Sequence, residues 1–201
     1  MSRSQGRHSA PVSQSSKRSM LIYGTIAVVV IGVVIAIGYA SRVPQIASTA
    51  PQYADIKVGQ PAPAFTAATT AGPFDTTKAG GKPIFLEVFA TWCPHCQEEV
   101  PVLNSLYAKY KGRVNFVGVS GSDYGMGGSN KESQNDVYEF SKQFKVNYPV
   151  AYDPDLTVAK KYLQGGFPTM VIIGRNGKIS DIETGSQPAA LLQKKIEAAL
   201  K

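Results

Sequence analysis

The two cysteines of the chain lie two residues apart in the segment Trp92-Cys93-Pro94-His95-Cys96. Thiols at this spacing can close a small disulfide and open it again. A helix that begins at the first cysteine presents unpaired backbone N–H groups and the positive end of its dipole, which stabilise a thiolate on Cys93. His95 adds positive charge and lowers the pKa of that thiol further. Because the thiolate is the form that attacks a disulfide, the motif predicts thiol–disulfide exchange.

The motif lies between a strand pattern and a helix pattern. Residues 82–91 form an apolar run rich in β-formers, which is typical of a buried central strand. Residues 97–110 carry apolar side chains at helical spacing, namely Val100, Leu103, Leu106, Tyr107 and Tyr110. Glu99 is expected in the first turns, where an acid suits the helix dipole. We therefore expect Cys93 to be exposed at the helix start and Cys96, one turn deeper, to be shielded.

The remainder of the chain alternates between strand and helix patterns. Strands are predicted near residues 63–67, 84–90, 114–120, 169–173 and 179–183, and helices near 94–110, 133–145, 155–163 and 188–200. This alternation predicts an α/β domain in which helices flank both faces of a mixed central sheet. Residues 121–132 are glycine-rich and polar, so we expect a long flexible loop that ends where Ser133 caps the next helix. A surface loop is the simpler interpretation of this segment, and a role in partner specificity is the alternative.

The motif and its surroundings resemble the active-site unit of the thioredoxin superfamily. The more specific resemblance is to the membrane-anchored TlpA/ResA-like thiol–disulfide oxidoreductases, through residues 58–65, 114–120 and 148–155. Residues 165–169, Gly-Gly-Phe-Pro-Thr, resemble the loop whose cis-proline faces the dithiol and aligns an incoming peptide. The resemblance covers residues 55–201. It implies a thioredoxin-like fold, a redox-active Cys93–Cys96 disulfide and protein thiols or disulfides as substrates.

The same resemblance implies roles for individual residues. Glu87, six residues before Cys93, falls where thioredoxins carry a buried acid that relays a proton for the inner cysteine, here Cys96. Contacts with the substrate are implied for Trp92, Pro94, His95, Phe167 and Pro168. The alternatives are structural: Glu87 as an edge-strand residue, Pro168 as an ordinary trans turn proline, Trp92 as core packing and His95 as an exposed side chain without effect.

The direction of electron flow is open at this stage. Many TlpA-like proteins carry a second proline between the cysteines, whereas Pro94-His95 is the dipeptide of the DsbA-like oxidants. A reductase, for instance of the cytochrome c maturation type, is the preferred interpretation. The alternative is an oxidant that introduces disulfides into secreted proteins.

Other chemistries fit the sequence less well. Zinc needs about four ligands, but the chain has no second CxxC motif, and its only other histidine is His8, before the predicted membrane segment. A purely structural disulfide at this spacing would close only a very short loop and would stabilise the fold little. A thioredoxin-fold copper-binding protein or chaperone would add ligands near the dithiol, yet Met126 and Met170 are the only methionines beyond the membrane segment. A peroxidase would show a Pro-xxx-Thr-xx-Cys arrangement, which is absent before Cys93.

Nothing in the sequence indicates a flavin, a nicotinamide or a metal motif, so no cofactor is expected. The dithiol must then exchange electrons with another protein. A membrane redox partner that recharges the dithiol is the expected donor or acceptor.

Residues 20–40 contain no charge and predict a transmembrane helix, since about 20 apolar residues span roughly 30 Å. Tyr23 and Tyr39 bracket the run, as aromatic side chains do at membrane interfaces. Basic residues stand before it, at Arg3, Arg7, Lys17 and Arg18, and only Arg42 follows closely. This asymmetry predicts a single-pass anchor in the bacterial cytoplasmic membrane, with the N-terminus inside and the domain outside. The alternative is a cleaved signal peptide, with a small-x-small site at residues 38–40.

The charge distribution supports the same division. All 14 acidic residues and 16 of the 21 basic residues follow residue 54, so that part carries a net charge of only +2, against +7 for the chain. The excess of positive charge is therefore explained by the orientation of the membrane segment and does not indicate nucleic-acid binding. We expect a disordered basic tail at 1–19, the membrane helix at 20–40, a linker at 41–54 and one domain at 55–201.

Overall fold

The computed structural model of the chain describes residues 23, 26, 28–35 and 54–201. The predicted tail and nearly all of the predicted linker lie outside the described residues, and so does about half of the predicted membrane segment. The described residues of that segment are helical and exposed. Among all described residues, no helix is both long and apolar enough to cross a membrane. The chain divides into two units, Met1–Ala50 and Pro51–Lys201, and the second contains the cysteine motif.

Strands and helices alternate through residues 66–199. The strands are β1 Thr66–Thr69, β2 Gly72–Asp75, β3 Ile84–Phe89, β4 Asn115–Ser120, β5 Val150–Tyr152, β6 Thr169–Ile173 and β7 Ile179–Thr184. The helices are α1 Pro94–Tyr110, α2 Gln134–Gln143, α3 Ala159–Tyr162 and α4 Ala189–Ala199, and a 3-10 turn covers Thr76–Lys78. The strands form one sheet in the order β2-β1-β5-β4-β3-β6-β7. The predicted α/β fold with a mixed central sheet is therefore confirmed.

Strand β3 lies inside the sheet and is buried along its whole length. It pairs in parallel with β4 and antiparallel with β6, so both of its backbone edges are hydrogen-bonded. Its side chains alternate between the two faces. Phe85 and Phe89 pack into the core that contains α1, α2 and α4, whereas Leu86 and Val88 pack into the core that contains α3. A strand buried on both faces explains the continuous apolar run in the sequence.

Helix α1 begins and ends at the predicted residues and continues through Pro101. Helix α2 begins with a capping box: the Ser133 hydroxyl accepts from the Asp136 amide, and the Asp136 carboxylate accepts from the Ser133 amide. The predicted cap at Ser133 is confirmed.

Two element predictions were wrong in their bounds, and two short strands were not predicted. The strand expected at 63–67 lies at Thr66–Thr69 and forms a hairpin with β2, which was not predicted. The three-residue strand β5 was also missed. Helix α3 starts at Ala159 instead of 155, because Leu156 has a positive φ of 54° and the Asp153 carboxylate binds the amides of Thr157, Val158 and Ala159 in a turn.

The segment expected to be a flexible loop is a hydrogen-bonded hairpin. Tyr124 and Lys131 form a β-bridge. The Gly125 amide donates to the Asn130 carbonyl at 2.9 Å, and the Glu132 amide donates to the Asp123 carbonyl at 3.0 Å. We call residues 123–132 the β4–α2 hairpin.

Candidate active site

The cysteine motif lies where β3 passes into α1. Cys93 is the N-cap residue of the helix, with extended backbone angles, and Pro94 occupies the first turn. Proline suits that position because its missing N–H has no partner there in any helix. Both cysteines are free thiols. Cys96 is fully buried, as expected, but Cys93 is only 5% exposed, so the prediction of an exposed Cys93 was wrong.

The two thiols ionise very differently. A hydrogen bond from the Cys96 side chain lowers the pKa of Cys93 to about 6 against the opposing effect of burial. The backbone N–H groups of Cys96 and His95, and the charge of His95, lower it further. Burial raises the pKa of Cys96 far above its usual range, and the neighbouring Cys93 and Glu87 raise it more. Near neutral pH the site therefore holds a thiolate at Cys93 beside a protonated thiol at Cys96.

The loop before β6 closes over Cys93. The Phe167–Pro168 peptide bond is cis, so the alternative of a trans turn proline was wrong. Cys93 Sγ lies 3.7 Å from the Phe167 carbonyl oxygen, to which it donates a hydrogen bond when the thiol is protonated. On the far side of the loop, the Gly185 amide donates to the Pro168 carbonyl at 2.8 Å. These contacts explain why Cys93 is shielded although it begins the helix.

Glu87 lies on the α1 side of the sheet and is 1% exposed. The edge-strand alternative was therefore wrong. Its Oε2 atom accepts a hydrogen bond from the Tyr148 hydroxyl at 2.8 Å. Gly118, which pairs with Glu87 in β4, leaves room for this contact, because a Cβ atom there would stand 3.0 Å from the Tyr148 ring and 3.4 Å from Glu87 Oε2. Burial raises the pKa of Glu87 to about 8, although the hydrogen bond from Tyr148 opposes the shift.

Glu99 is a second buried acid, and its charge acts on Glu87. Its position near the start of α1 was predicted from the sequence, but its burial was not. It is 2% exposed, and its Oε2 atom accepts from the Gln187 amide at 3.1 Å. Its other oxygen has no hydrogen-bond partner among the described residues. Burial raises the pKa of Glu99, and its charge raises the pKa of Glu87. The spacing of three residues from Cys96, which places both on one helix face, was the signal that could have found it.

The His95 side chain is exposed. Its Nδ1 atom lies 3.5 Å from Glu98 Oε2, and its carbonyl accepts from the Ser186 hydroxyl at 3.2 Å. The connection between β7 and α4 therefore contacts the first turns of α1 through Ser186 and Gln187, and it contacts the cis-proline loop through Gly185. Within the described residues, no group of three or more His, Cys, Asp or Glu side chains is placed to hold a metal ion.

Trp92 forms the rim of the site, not part of the core. It is 37% exposed, and its ring meets the Phe167 ring edge to face, with centroids 6.1 Å apart. Its indole nitrogen donates to the Ser122 hydroxyl at 2.7 Å. Neither Ser122 nor this contact was predicted from the sequence, because 30 residues separate the two side chains.

A further buried acid, Glu132, ties the β4–α2 hairpin to the start of the motif. Its Oε1 atom accepts hydrogen bonds from the hydroxyls of Thr91 at 3.0 Å and Ser120 at 2.7 Å. Burial raises the pKa of Glu132 to about 7 against these two hydrogen bonds. This role of Glu132 was not predicted from the sequence, because the residue lies in a polar, glycine-rich segment.

Paired thiols of opposite ionisation, placed between a cis-proline loop and a buried acid on a mixed sheet, define a thiol–disulfide oxidoreductase of the thioredoxin fold. Residues 57–200 match the model of the Redoxin family. The chain belongs to this family and, within the thioredoxin superfamily, to the TlpA/ResA-like thiol–disulfide oxidoreductases.

Individual relatives agree with this assignment. The chain is 30% identical over 145 residues to the thiol-disulfide oxidoreductase ResA of Geobacillus thermodenitrificans, a match that covers 71% of this chain and 78% of the relative. It is also 30% identical over 139 residues to ResA of Bacillus subtilis, with coverage of 68% and 73%. Among solved structures, a putative thiol:disulfide interchange protein DsbE from Chlorobium tepidum is similar, with a TM-score of 0.63, 29% identity and coverage of 73% of this chain and 99% of that one.

Proposed function

We propose that the protein reduces disulfides in other proteins on the outer side of the cytoplasmic membrane, with Cys93 as the nucleophile and Cys96 as the resolving cysteine. Support for this direction comes from the pKa of Cys93, which the hydrogen bond from Cys96 lowers to about 6. The corresponding thiol has a pKa of about 7 in thioredoxin, a reductant, and about 3.5 in the oxidant DsbA. Since a more stable thiolate makes the disulfide form a stronger oxidant, the value for Cys93 favours a reductase.

The reaction needs two exchanges. The Cys93 thiolate attacks one sulfur of the substrate disulfide, a Cys93–substrate disulfide forms, and the other substrate sulfur leaves as a thiolate that takes up a proton. Cys96 then loses its proton and attacks Cys93 Sγ. The second substrate sulfur leaves, the substrate has gained two electrons, and the protein holds a Cys93–Cys96 disulfide.

The second exchange requires a base, because burial keeps Cys96 protonated. We assign this role to Glu87, whose charge acts on Cys96 and whose own pKa of about 8 lies much closer to that of a thiol than an ordinary carboxyl does. A smaller pKa difference makes the proton transfer less unfavourable. Glu99 lies on the same helix face and raises the pKa of Glu87, so we assign it a supporting electrostatic role.

The rim of the site supplies the surface for the substrate. Trp92, Phe167 and Pro168 surround the buried Cys93, and we assign them the substrate contacts together with the exposed Pro94–His95 turn. An extended substrate segment that runs along the cis-proline loop would bring its sulfur over Cys93 Sγ.

We further propose that residues 20–40 anchor the protein in the membrane, with the domain on the outer side, and that a membrane redox partner returns electrons to the Cys93–Cys96 disulfide. Support comes from the uncharged segment and from the basic residues before it.

The test is alkylation of intact spheroplasts by a membrane-impermeant maleimide. We expect Cys93 to be labelled there and the protein to sediment with membranes; labelling only after lysis would contradict the orientation. The C93S variant is the control, since the chain contains only one other cysteine.

The reduction potential of the Cys93–Cys96 couple tests the direction. We expect a value near that of thioredoxin, about −270 mV, and a value near that of DsbA, about −120 mV, would make the protein an oxidant. The second candidate function, oxidation of secreted thiols, is favoured by His95, whose charge lowers the pKa of Cys93. Equilibration with glutathione buffers, followed by Trp92 fluorescence, measures the potential, and alkylation of the free thiols confirms it independently.

A further inference from the structure

The Ser122 hydroxyl joins the β4–α2 hairpin to the rim of the active site. It is nearly buried, at 6% residue exposure. It accepts hydrogen bonds from the Trp92 indole at 2.7 Å and from the Tyr124 amide at 3.0 Å, and it donates to the Tyr124 carbonyl at 2.9 Å. These three bonds use the full capacity of a hydroxyl group. The indole of Trp92 and the backbone of Tyr124 therefore meet at one oxygen atom.

Both residues that bond to this oxygen, Trp92 through its indole and Tyr124 through its backbone, have exposed side chains. Trp92 is 37% exposed and Tyr124 is 52% exposed. Glu132 holds the other end of the hairpin against Thr91, so the hairpin is bound to the motif at two points. Rigid aromatic side chains give large contact areas at little entropic cost, and they dominate many binding surfaces.

Trp92 and Phe167 lie beside the access to Cys93. Only 5% of Cys93 is exposed. The Trp92 ring packs against the Phe167 ring, and the Phe167 carbonyl oxygen lies 3.7 Å from Cys93 Sγ. A substrate disulfide has to bring one sulfur in line with Cys93 Sγ, and the chain that carries it must then lie across the neighbouring side chains. The occupant of the surface is therefore the polypeptide that carries the reacting disulfide.

We propose that Ser122 is a positioning residue that holds Trp92 and Tyr124 together as one docking surface for the substrate polypeptide. This inference rests on the proposed function and extends it to the hairpin. The recognised chemistry is an apolar or aromatic side chain beside the substrate cysteine. The surface sets the affinity for protein substrates and leaves the reactivity of Cys93 unchanged.

The first test compares the full-length S122A and S122T variants with the wild type. With insulin as the protein disulfide and dithiothreitol to recycle the dithiol, S122A should raise KM about threefold to tenfold, the worth of one hydrogen bond, with kcat unchanged. Trp92 fluorescence of S122A should shift to longer wavelength, because the indole loses its hydrogen bond to Ser122 and becomes more exposed to water. S122T keeps a hydroxyl and should restore both KM and the emission. An unchanged KM in S122A would overturn the proposal.

Alkylation of Cys93 by iodoacetamide separates docking from chemistry. This reagent is too small to need the aromatic rim, so its rate and pH profile should be the same in S122A and in the wild type. If the alkylation rate and kcat of S122A both fell, Ser122 would act on Cys93 or on folding, and the docking role would be refuted.

The second test uses Tyr124, with Tyr138 as the matched control. Tyr138 is a tyrosine of α2 with a similar exposure of 57%. Y124A should raise KM for insulin, whereas Y138A should not; equal effects would contradict a specific surface at the hairpin. If the wild type oxidises protein thiols instead of reducing insulin, the proposed direction of electron flow is wrong, but the docking role of Ser122 is not thereby refuted. The same KM comparison then applies in the oxidative assay, with the same expected order of variants.

Discussion

The reactivity of the site depends on how single residues are surrounded more than on residue type. Cys93 and Cys96 are the same amino acid, three positions apart, yet the pKa of one is lowered to about 6 and that of the other is raised far above its usual range. The largest single cause for Cys93 is the hydrogen bond from Cys96. The buried thiol thus activates its neighbour before it takes part in the second exchange.

This dependence predicts different effects of two substitutions at Cys96. C96A removes the hydrogen bond to the Cys93 thiolate and should raise the pKa of Cys93 by about 1–2 units, because a hydrogen bond to a charged group contributes about 1.5–3 kcal/mol. C96S keeps a donor and should raise it less. The measurement is the pH midpoint of Cys93 alkylation by iodoacetamide. Equal midpoints in the wild type and in C96A would show that the hydrogen bond does not set the pKa.

If Glu87 is the base of the second exchange, the rate of that exchange should depend on pH. The carboxyl must be ionised to accept the proton of Cys96, so resolution of the mixed disulfide should accelerate as the pH rises towards the Glu87 pKa of about 8. E87Q should lose this dependence and slow the step about a hundredfold, the usual contribution of a general base. Single-turnover release of a fluorescent substrate thiol reports the step.

Y148F is the matched control for E87Q, because it removes the hydrogen bond that lowers the pKa of Glu87 and keeps the acid. We expect its profile to move to higher pH without the loss of rate seen in E87Q. A Y148F profile that coincides with the wild type would argue against Glu87 as the titrating group.

At the scale of elements, the sequence predicted well where a local pattern determines the structure. Helix α1 has a proline in its first turn and apolar side chains at helical spacing, and both of its bounds were predicted correctly. Strands β2 and β5 are only four and three residues long, and their place in the sheet comes from pairing with β1 and β4, which no local pattern reveals. The β4–α2 hairpin was missed for a similar reason, since its anchor points Ser122 and Glu132 bind partners across the fold.

The anchoring of the hairpin predicts a loss of stability in E132A. This substitution leaves the buried hydroxyls of Thr91 and Ser120 without their acceptor, which should lower the free energy of unfolding by about 1–3 kcal/mol. E139A, at an exposed position of α2, is the control and should change stability by less than about 0.5 kcal/mol. Urea titration followed by circular dichroism measures both. A loss of equal size in the two variants would contradict a structural role for Glu132.

At the scale of the whole molecule, the site is assembled from segments that are distant in the chain. The cysteine motif, the strand acid and the cis-proline loop were found from the sequence because each belongs to a recognisable local pattern. Glu99, Tyr148, Ser122 and Glu132 were not, because their roles depend on burial and on partners that only the tertiary structure supplies. The predictable part of the site was therefore the reacting groups, and the unpredictable part was the surroundings that adjust them.

The buried acids predict how the stability of the reduced protein varies with pH. Glu87 has a pKa of about 8 in the folded state, above its ordinary 4.5. The folded state therefore holds this proton more tightly than the unfolded state. The resulting stabilisation is fully present below pH 4.5 and is lost as the pH rises to 8. Between pH 5 and pH 8, the unfolding free energy of the wild type should therefore fall relative to that of E87Q by on the order of 2–4 kcal/mol. Chemical denaturation at several pH values, under reducing conditions, provides the comparison, and parallel curves for the two proteins would exclude this titration.

The shielding of Cys93 also bears on oxidative damage. A thiol with a pKa of about 6 is mostly thiolate at neutral pH, which is the form that peroxides convert to sulfenic acid and then irreversibly to higher oxides. With 5% of Cys93 exposed and a second thiol hydrogen-bonded to it, a sulfenic acid formed there would meet Cys96 before a second oxidant molecule and would condense to the ordinary disulfide. The arrangement that makes the dithiol reactive thus also returns an accidental oxidation to the catalytic cycle.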